Sequence, residues 1–445
     1  VRNTLQDHAD TQALTTPATG CAGRSQRQRR RLLKGACVLV CAPRAHPFFS
    51  PRLEGSPTMS SPTSLSGMGG VPASSLVEPL APGSVVAMAR DPHAYASVHE
   101  RATRAAFAER IAALKGLAYR GDHDASQPYD RPLYFVPSDT IADMQEAHAL
   151  GITGPHDLFG GVVPHPFVLT KAITHPLVHA DAARPVGWSD DFAAHVAGAV
   201  LTGFTAFSRE DARAAGCALL RLGAVRVKPV RATCGRGQQV VADAAALMRC
   251  LAPMPDAELA EHGIVLEENL VDPVTFSIGQ VVIGGLTVTY HGTQRLTPDL
   301  RGDQVYGGSD LWLVRGGFDA LLATRPPFDI RLAIDQARLY HDAVTECFAG
   351  FFTSRLNYDV ARGRGPLGQW RSGVLEQSWR VGGATGAELA ALELFHEDPG
   401  RGRAHVRCIE VYGNADLPQD AAIYYRGEVP GIGMLTKYTV TDPAC

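Results

Sequence analysis

Leu356-Asn357-Tyr358-Asp359-Val360 and Gly373-Val374-Leu375-Glu376-Gln377-Ser378-Trp379-Arg380 are two β-patterned runs, each carrying one acid. Between them lies a turn containing Gly363, Gly365, Pro366 and Gly368. The pattern predicts a hairpin that brings Asp359 and Glu376 face to face. Paired carboxylates are hard oxygen ligands of the kind a magnesium ion takes, with phosphate oxygens completing its octahedron. Side chains two residues apart on a strand share a face, so Glu376, Ser378 and Arg380 project together. That aligns a metal ligand, a polar group and a guanidinium able to grip phosphate or carboxylate through two parallel hydrogen bonds. The same residues also suit a surface hairpin with cross-strand charge pairs.

Two segments upstream bear on the choice. Ala224-Val225-Arg226-Val227-Lys228-Pro229 reads as a strand ending at a lysine, and Gly235-Arg236-Gly237 follows before a second β-run at Val240-Val241. Glycines let backbone N–H groups approach phosphate oxygens without a Cβ in the way, and the lysine supplies a point charge. A hairpin turn beside a surface lysine is the plainer alternative. The segment is not a Walker A loop, which needs Gly-x4-Gly-Lys-Ser/Thr, nor a Rossmann turn, since no helix opens at the glycines. Next, Gly263-Ile264-Val265-Leu266-Glu267-Glu268-Asn269-Leu270 is an apolar strand ending in two acids. It suits a hinge that reads an adenine edge and takes ribose hydroxyls, or a strand that simply runs into an acidic loop.

In this order the three segments resemble the ATP-grasp superfamily over residues 200–390, closest overall to a bacterial ATP-grasp-like family of undefined function. The resemblance implies ATP and Mg2+ as cofactors, with Lys228, Gly235, Arg236 and Gly237 over the phosphates and Glu267, Glu268 and Leu270 around base and ribose. It implies Asp359, Glu376 and Ser378 as metal residues and Arg380 as the arginine of a Glu-x-Asn-x-Arg pattern. Lys171, in Leu169-Thr170-Lys171-Ala172, is the candidate for a further phosphate lysine. The chain departs from the family where Ser378 replaces the usual asparagine, where the turn between the acids is long, and where Val271-Asp272-Pro273-Val274 lacks the further glutamate often found after the hinge.

The resemblance further implies an α/β and α+β chain: a small parallel N-terminal α/β domain, then two lobes clasping the nucleotide. The expected domains are 1–72, an extension outside the fold; 73–190, the α/β domain and an irregular connection; 191–270, the nucleotide lobe; and 271–445, the lobe with the metal hairpin and a β-rich tail. Strand patterning at Ser84–Met88 and Pro132–Pro137 and helical patterning over 97–117 fit the first domain, with Ser138 or Asp139 as cap of the helix carrying Met144, Ala147 and Leu150. Helical patterning returns around 191–201 and 209–222. Residues 151–189, rich in proline and containing His165, His175 and His179, read as a long irregular connection. These histidines lack a helical i, i+4 face and fit polar loop positions better than a zinc site.

The expected activity is that of an ATP-dependent ligase that activates a carboxylate as an acyl phosphate for attack by an amine or thiol. A small-molecule kinase and a nucleotide-binding scaffold with little turnover are the alternatives. Arg295 and Arg301, in glycine-rich stretches between hinge and hairpin, would anchor the carboxylate, unless they are solvated arginines of a surface loop. The expected partner is a small carboxylate-bearing molecule, with a homodimer as the only protein assembly entertained.

Composition sets outer bounds. The 445 residues are 45% hydrophobic and 20% charged, an ordinary globular balance with enough apolar material for two or three domains. Eight arginines and Lys34, against Asp7, Asp10 and Glu54, give residues 1–72 a charge of +6 and leave −9 for the rest. An acidic body lacks the basic track that nucleic acid requires. No apolar run is long enough to span a membrane. Nine dispersed cysteines without Cys-x-x-Cys spacing fit a reducing, cytoplasmic setting. Within the extension, Arg29-Arg30-Arg31-Leu32-Leu33-Lys34 resembles a twin-arginine export signal, but its apolar run is short and closes at Arg44. Val1 at the start makes Met59 or Met68 candidate initiators.

Overall fold

The computed structural model describes residues 82–90, 97–231, 237–299, 302, 304–414 and 416–442. Chain contacts divide the protein into Val1–Ser75 and Leu76–Cys445, and every described residue belongs to the second unit. The expected extension 1–72 and the candidates Gly235, Arg236 and Arg301 lie outside the described residues.

The unit opens with β1 (Ser84–Met88), α1 (Val98–Lys115), β2 (Ala118–Asp122) and β3 (Leu133–Pro137), forming a parallel sheet of order β2-β1-β3. All five positions of both β1 and β3 are buried, as expected of strands covered on two faces. Helix α1 buries Phe107, Ala108, Ile111 and Ala112 and ends at Gly116, whose φ of 65° closes it in the left-handed conformation. Helix α2 (Met144–Leu150) is capped by Asp143, which accepts from the amides of Gln145 and Glu146. The expected caps Ser138 and Asp139 sit too early. Ser138 Oγ accepts from the Arg90 amide instead, and Asp139 from the Thr140 amide.

The connection 151–189 is irregular over most of its length, as expected. It contains β4 (Gly161–Val162) and two 3-10 turns, Pro166–Leu169 and Lys171–Thr174, and all four residues of the second turn are buried. His175 is fully buried, unlike a loop histidine. Beyond α3 (Asp190–His195) come β5 (Gly203–Ala206), α4 (Arg209–Leu220), β6 (Val225–Pro229), β7 (Gln239–Val241), α5 (Ala244–Leu251), α6 (Asp256–His262) and β8 (Ile264–Glu268). The four strands make an antiparallel sheet of order β5-β8-β6-β7. Its core joins Leu219 of α4 and Leu247 and Leu251 of α5 to Val225, Val227, Ile264 and Leu266.

The remainder builds an eight-stranded antiparallel sheet from β9 (Val271–Ile283), β10 (Leu286–Pro298), β11 (Gln304–Arg315), β13 (Arg355–Arg364), β14 (Trp370–Ser378), β15 (Arg403–Tyr412), β16 (Ala422–Val429) and β17 (Gly433–Thr441), while the short β12 (Phe352–Thr353) pairs with β4 outside it. Its order is β14-β13-β9-β10-β11-β15-β17-β16. Helices α7 (Phe318–Ala323) and α8 (Phe328–Cys347) contribute to one cluster with Phe276, Ile278, Tyr358 and Val360. Helix α9 (Thr385–Glu397) and α1 join a second cluster with Val281, Ile283, Val288 and Leu311. The glycine-rich stretches that carry Arg295 and flank Arg301 pair as antiparallel strands, residues 290–298 of β10 against residues 304–313 of β11. Among the described residues no helix is long and apolar enough to cross a membrane.

Candidate functional site

The β13/β14 register pairs Asn357 with Ser378 and Asp359 with Glu376, so the two carboxylates stand directly opposite one another. Both line a cleft of about 620 Å3 together with Lys171, Arg355, Arg380 and Tyr306. Gln294 Nε2 donates to Asp359 Oδ1 at 2.9 Å and Asn357 Nδ2 to the same oxygen at 3.1 Å. Burial and, next, the facing charge of Glu376 push the Asp359 carboxyl up to about 6. Asp359 Oδ2 and Glu376 Oε1 carry no hydrogen bond among the described residues.

Lys171 answers part of that charge. Its ammonium lies 2.8 Å from Glu376 Oε2, and the lysine side chain is 6% exposed against 35% for the glutamate. The turn that carries Lys171 is fixed from two sides. Thr170 caps it by accepting from the Ala172 amide, and Gln377 Nε2 donates to Val168 O at 2.9 Å and Thr170 O at 2.7 Å. Glu376 and Gln377 point to opposite faces of β14, so adjacent residues of one strand hold the lysine and the turn that presents it.

Beside the acids lies a buried network that sequence reading did not find. Arg355 donates through Nε and Nη2 to Glu388, with contacts from 2.8 to 3.1 Å, and the two side chains are 1% and 0% exposed. Arg355 Nη1 donates to Ser378 O and Ser378 Oγ, both at 3.2 Å, and to Arg380 O at 2.7 Å. The Tyr290 hydroxyl lies 2.6 Å from Glu388 Oε1 and 3.0 Å from Asn357 Oδ1, which also accepts from Ser277 Oγ at 2.6 Å. Removing one member of such a buried ion pair typically costs about 3–5 kcal/mol, because the other charge is left uncompensated. One signal was readable in retrospect: Glu388 is a lone acid among Ala387, Leu389, Ala390, Ala391 and Leu392, where the helix buries every neighbour.

Arg380 Nε lies 3.4 Å from Asp139 Oδ1, and its Nη1 donates to Val381 O. Arg295 takes a different place from that expected. Gln294 and Leu296 line the cleft while Arg295 is exposed and does not. Strand alternation turns it to the other face of β10.

In the smaller antiparallel sheet, Lys228 Nζ lies 2.5 Å from Glu267 Oε1, and both side chains are almost fully buried. His175 Nε2 contacts Glu267 Oε2 at 3.2 Å. Gly203 makes room for this: a Cβ there would lie 2.8 Å from the His175 ring and 2.8 Å from Leu266 O. Burial alone would raise the Glu267 carboxyl, but Lys228 and then His175 outweigh it and pull it down to about 2. Glu268 Oε1 accepts from Arg371 Nε at 2.8 Å and from the Thr202 amide at 2.9 Å. Leu270 packs with Leu201 and Ala361. Lys228, Glu267, Glu268 and Leu270 are thus engaged within the protein and do not line the 620 Å3 cleft, to which this lobe contributes Val230, Arg231 and His262. Gly237 has a φ of 67°, the left-handed conformation a glycine loop needs.

The structure therefore brings Asp359, Glu376, Ser378, Arg380 and Lys171 together around one cleft. Residues 85–439 match the family described as "Protein of unknown function (DUF3182)". The chain belongs to this family. No curated protein matches the sequence. Among solved structures, the DUF3182 chain is similar to phosphoribosylamine–glycine ligase from Thermotoga maritima, at 15% identity and a TM-score of 0.43, over 81% of this chain and 92% of that one. It is similar to the biotin carboxylase–β-γ-ATP complex from Campylobacter jejuni at 10% identity and a TM-score of 0.41, over 82% and 88%. A third likeness is to the ATP-grasp ligase PsnB complexed with minimal precursor, at 12% identity and a TM-score of 0.35, over 71% and 99%. These are distant likenesses of architecture. The DUF3182 chain has the small N-terminal parallel sheet and the large antiparallel sheet expected from its ATP-grasp resemblance.

Proposed function

We propose that this DUF3182 protein is an ATP- and Mg2+-dependent ligase that activates a carboxylate as an acyl phosphate for attack by an amine or thiol. The observation that carries the reading is the directly opposed pair Asp359 and Glu376, with one free oxygen each, beside Lys171 in a polar cleft. That donor set suits a hard divalent cation. No group of three or more His, Cys, Asp or Glu side chains able to hold a metal gathers among the described residues, so nucleotide oxygens and water would complete the coordination. When bound, Mg-ATP supplies the transferable phosphoryl group.

The chain's own residues do the rest. Asp359 and Glu376 would hold the cation, and Gln294 and Asn357 fix the Asp359 carboxylate through Oδ1, which leaves Oδ2 to the ion. Lys171 sits where it can exchange Glu376 for phosphate. Lys228 and Gly237 would face the phosphates, a role Lys228 would take by leaving Glu267, since in its paired position it lies outside the cleft. Glu267, Glu268 and Leu270 shape the hinge around the base. Arg380, held at its backbone by Arg355, presents a guanidinium to the reacting carboxylate. The test is ATP consumption against a carboxylate library with hydroxylamine as trap. Hydroxamate formation supports the ligase, and a stable phosphorylated product without hydroxamate replaces it with a kinase. Saturable ATP binding without turnover of any carboxylate would leave a scaffold.

A further inference from the structure

Ser378 follows Glu376 by two residues on the same face of β14, which makes it the natural next ligand for a cation. Its surroundings argue otherwise. Ser378 Oγ accepts a hydrogen bond from Arg355 Nη1 at 3.2 Å, and the same nitrogen donates to Ser378 O and Arg380 O. The guanidinium is 1% exposed, pinned by Glu388, and itself lines the cleft. An ion seated on Ser378 Oγ would stand against a guanidinium nitrogen whose N–H groups are aimed at Ser378 and the Arg380 carbonyl. The available oxygens, Asp359 Oδ2 and Glu376 Oε1, lie instead on the directly opposed pair.

We infer that the acid pair holds a single divalent cation and that the guanidinium of Arg355, already paired with Glu388, takes the place beside Ser378 where a second ion would sit. Arg355 is then a positioning residue: it occupies the space beside Ser378 and fixes the backbone that presents Arg380. The inference rests on the Mg-nucleotide reading of the cleft and narrows it to one metal.

The experiment counts ions and needs no turnover. The full chain is titrated with Mn2+ in the presence of the non-hydrolysable nucleotide AMP-PNP, and bound Mn2+ is read by electron paramagnetic resonance after correction for nucleotide-only binding. One Mn2+ per complex is expected. Asp359→Asn should weaken it at least tenfold, and Glu376→Gln, checked for folding by circular dichroism, should do the same. Ser378→Ala should change the affinity less than twofold. Ser378→Asp is the decisive variant: with Arg355 in place the new carboxylate pairs with the guanidinium and the count stays at one. If Arg355 were merely structural, Ser378→Asp would admit a second ion. A count of two in wild type or in Ser378→Asp, or a tenfold loss in Ser378→Ala, overturns the inference while leaving the nucleotide reading intact. No saturable Mn2+ in wild type overturns both.

Discussion

Replacing Asp359 with asparagine separates a carboxylate kept for its ligand from one kept for stability. Burial and the charge of Glu376 raise the Asp359 carboxyl from an ordinary 3.8 to about 6, so ionising it in the folded chain is unfavourable. Two pH units correspond to ~3 kcal/mol, and partial solvent access reduces that to ~1–2 kcal/mol. Asparagine retains the Oδ1 acceptor used by Gln294 and Asn357 and cannot ionise. The sign follows from the raised value. Below about 4, wild-type Asp359 is protonated in folded and unfolded chains alike, and the variant has no advantage. As pH rises through about 6 the folded wild type loses stability that Asp359→Asn keeps. The ligand-free variant should therefore melt with wild type near pH 4 and ~2–5 °C above it at pH 7.5. Mg-nucleotide at a hundredfold excess over Kd should stabilise wild type by about 2.7 kcal/mol and the variant by almost nothing. Thermal melting with and without Mg-AMP-PNP at both pH values provides all four numbers. A ligand-free variant that melts lower at pH 7.5, or one that keeps the full Mg-nucleotide shift, would refute the reasoning.

Glu376→Gln should behave in the opposite way without ligand, losing ~1–3 kcal/mol, because it removes a charged partner of the buried Lys171; differential scanning calorimetry checks this. Glu267, pulled down to about 2, stabilises the fold above its ordinary 4.5 and loses that contribution as pH falls from 4.5 towards 2. Glu267→Gln should flatten this acid limb by up to ~3 kcal/mol while melting lower at pH 7, as followed by circular dichroism between pH 2 and 7. Arg355→Met should cost about 3–5 kcal/mol in urea denaturation, since Glu388 is left charged at 0% exposure. Gly203→Ala should cost ~1–3 kcal/mol in the same assay by driving a methyl group into the His175 ring and Leu266 O.

The chemistry of β13 and β14 was legible because it depends on short-range rules. Period-two alternation and one turn are enough to pair β13 with β14, but Asp359 stands opposite Glu376 only because the register shifts between Asp359 and Val360, an irregularity the sequence does not announce. The strands β6, β7 and β8 were readable for the same reason. Partners supplied from far along the chain were not. Arg355 meets Glu388 only after the hairpin and α9 close on each other, and Lys171 reaches Glu376 only because Gln377 fixes a turn more than 200 residues earlier. Residues 151–189 are irregular over most of their length, as their prolines suggest; what composition did not reveal is that the 3-10 turn Lys171–Thr174 and His175 are buried. Arg295 shows the converse: its chemistry suited the cleft, but one step of strand alternation placed it on the wrong side.

The seam between the two antiparallel sheets restricts how the cleft can change size. Along β14 the Val374 amide donates to Ala199 O at 2.7 Å, Val200 and Val374 form a parallel bridge, and Arg371 reaches across to Glu268 and Thr202. A backbone bond and an ion pair at one border act as a stitched fold in a sheet of card. A relative rotation of the sheets that kept these bonds would have that border as its axis, with displacement growing with distance from it. Val230, Arg231 and His262, on the small-lobe wall of the cleft, and Leu296, Val305 and Tyr306, on the long hairpin, form the margins available to such a movement. Spin labels placed at His262 and Leu296 should report a larger change on nucleotide binding than labels at Leu201 and Leu375. Equal changes at both positions would mean that the sheets translate and the stitch gives way.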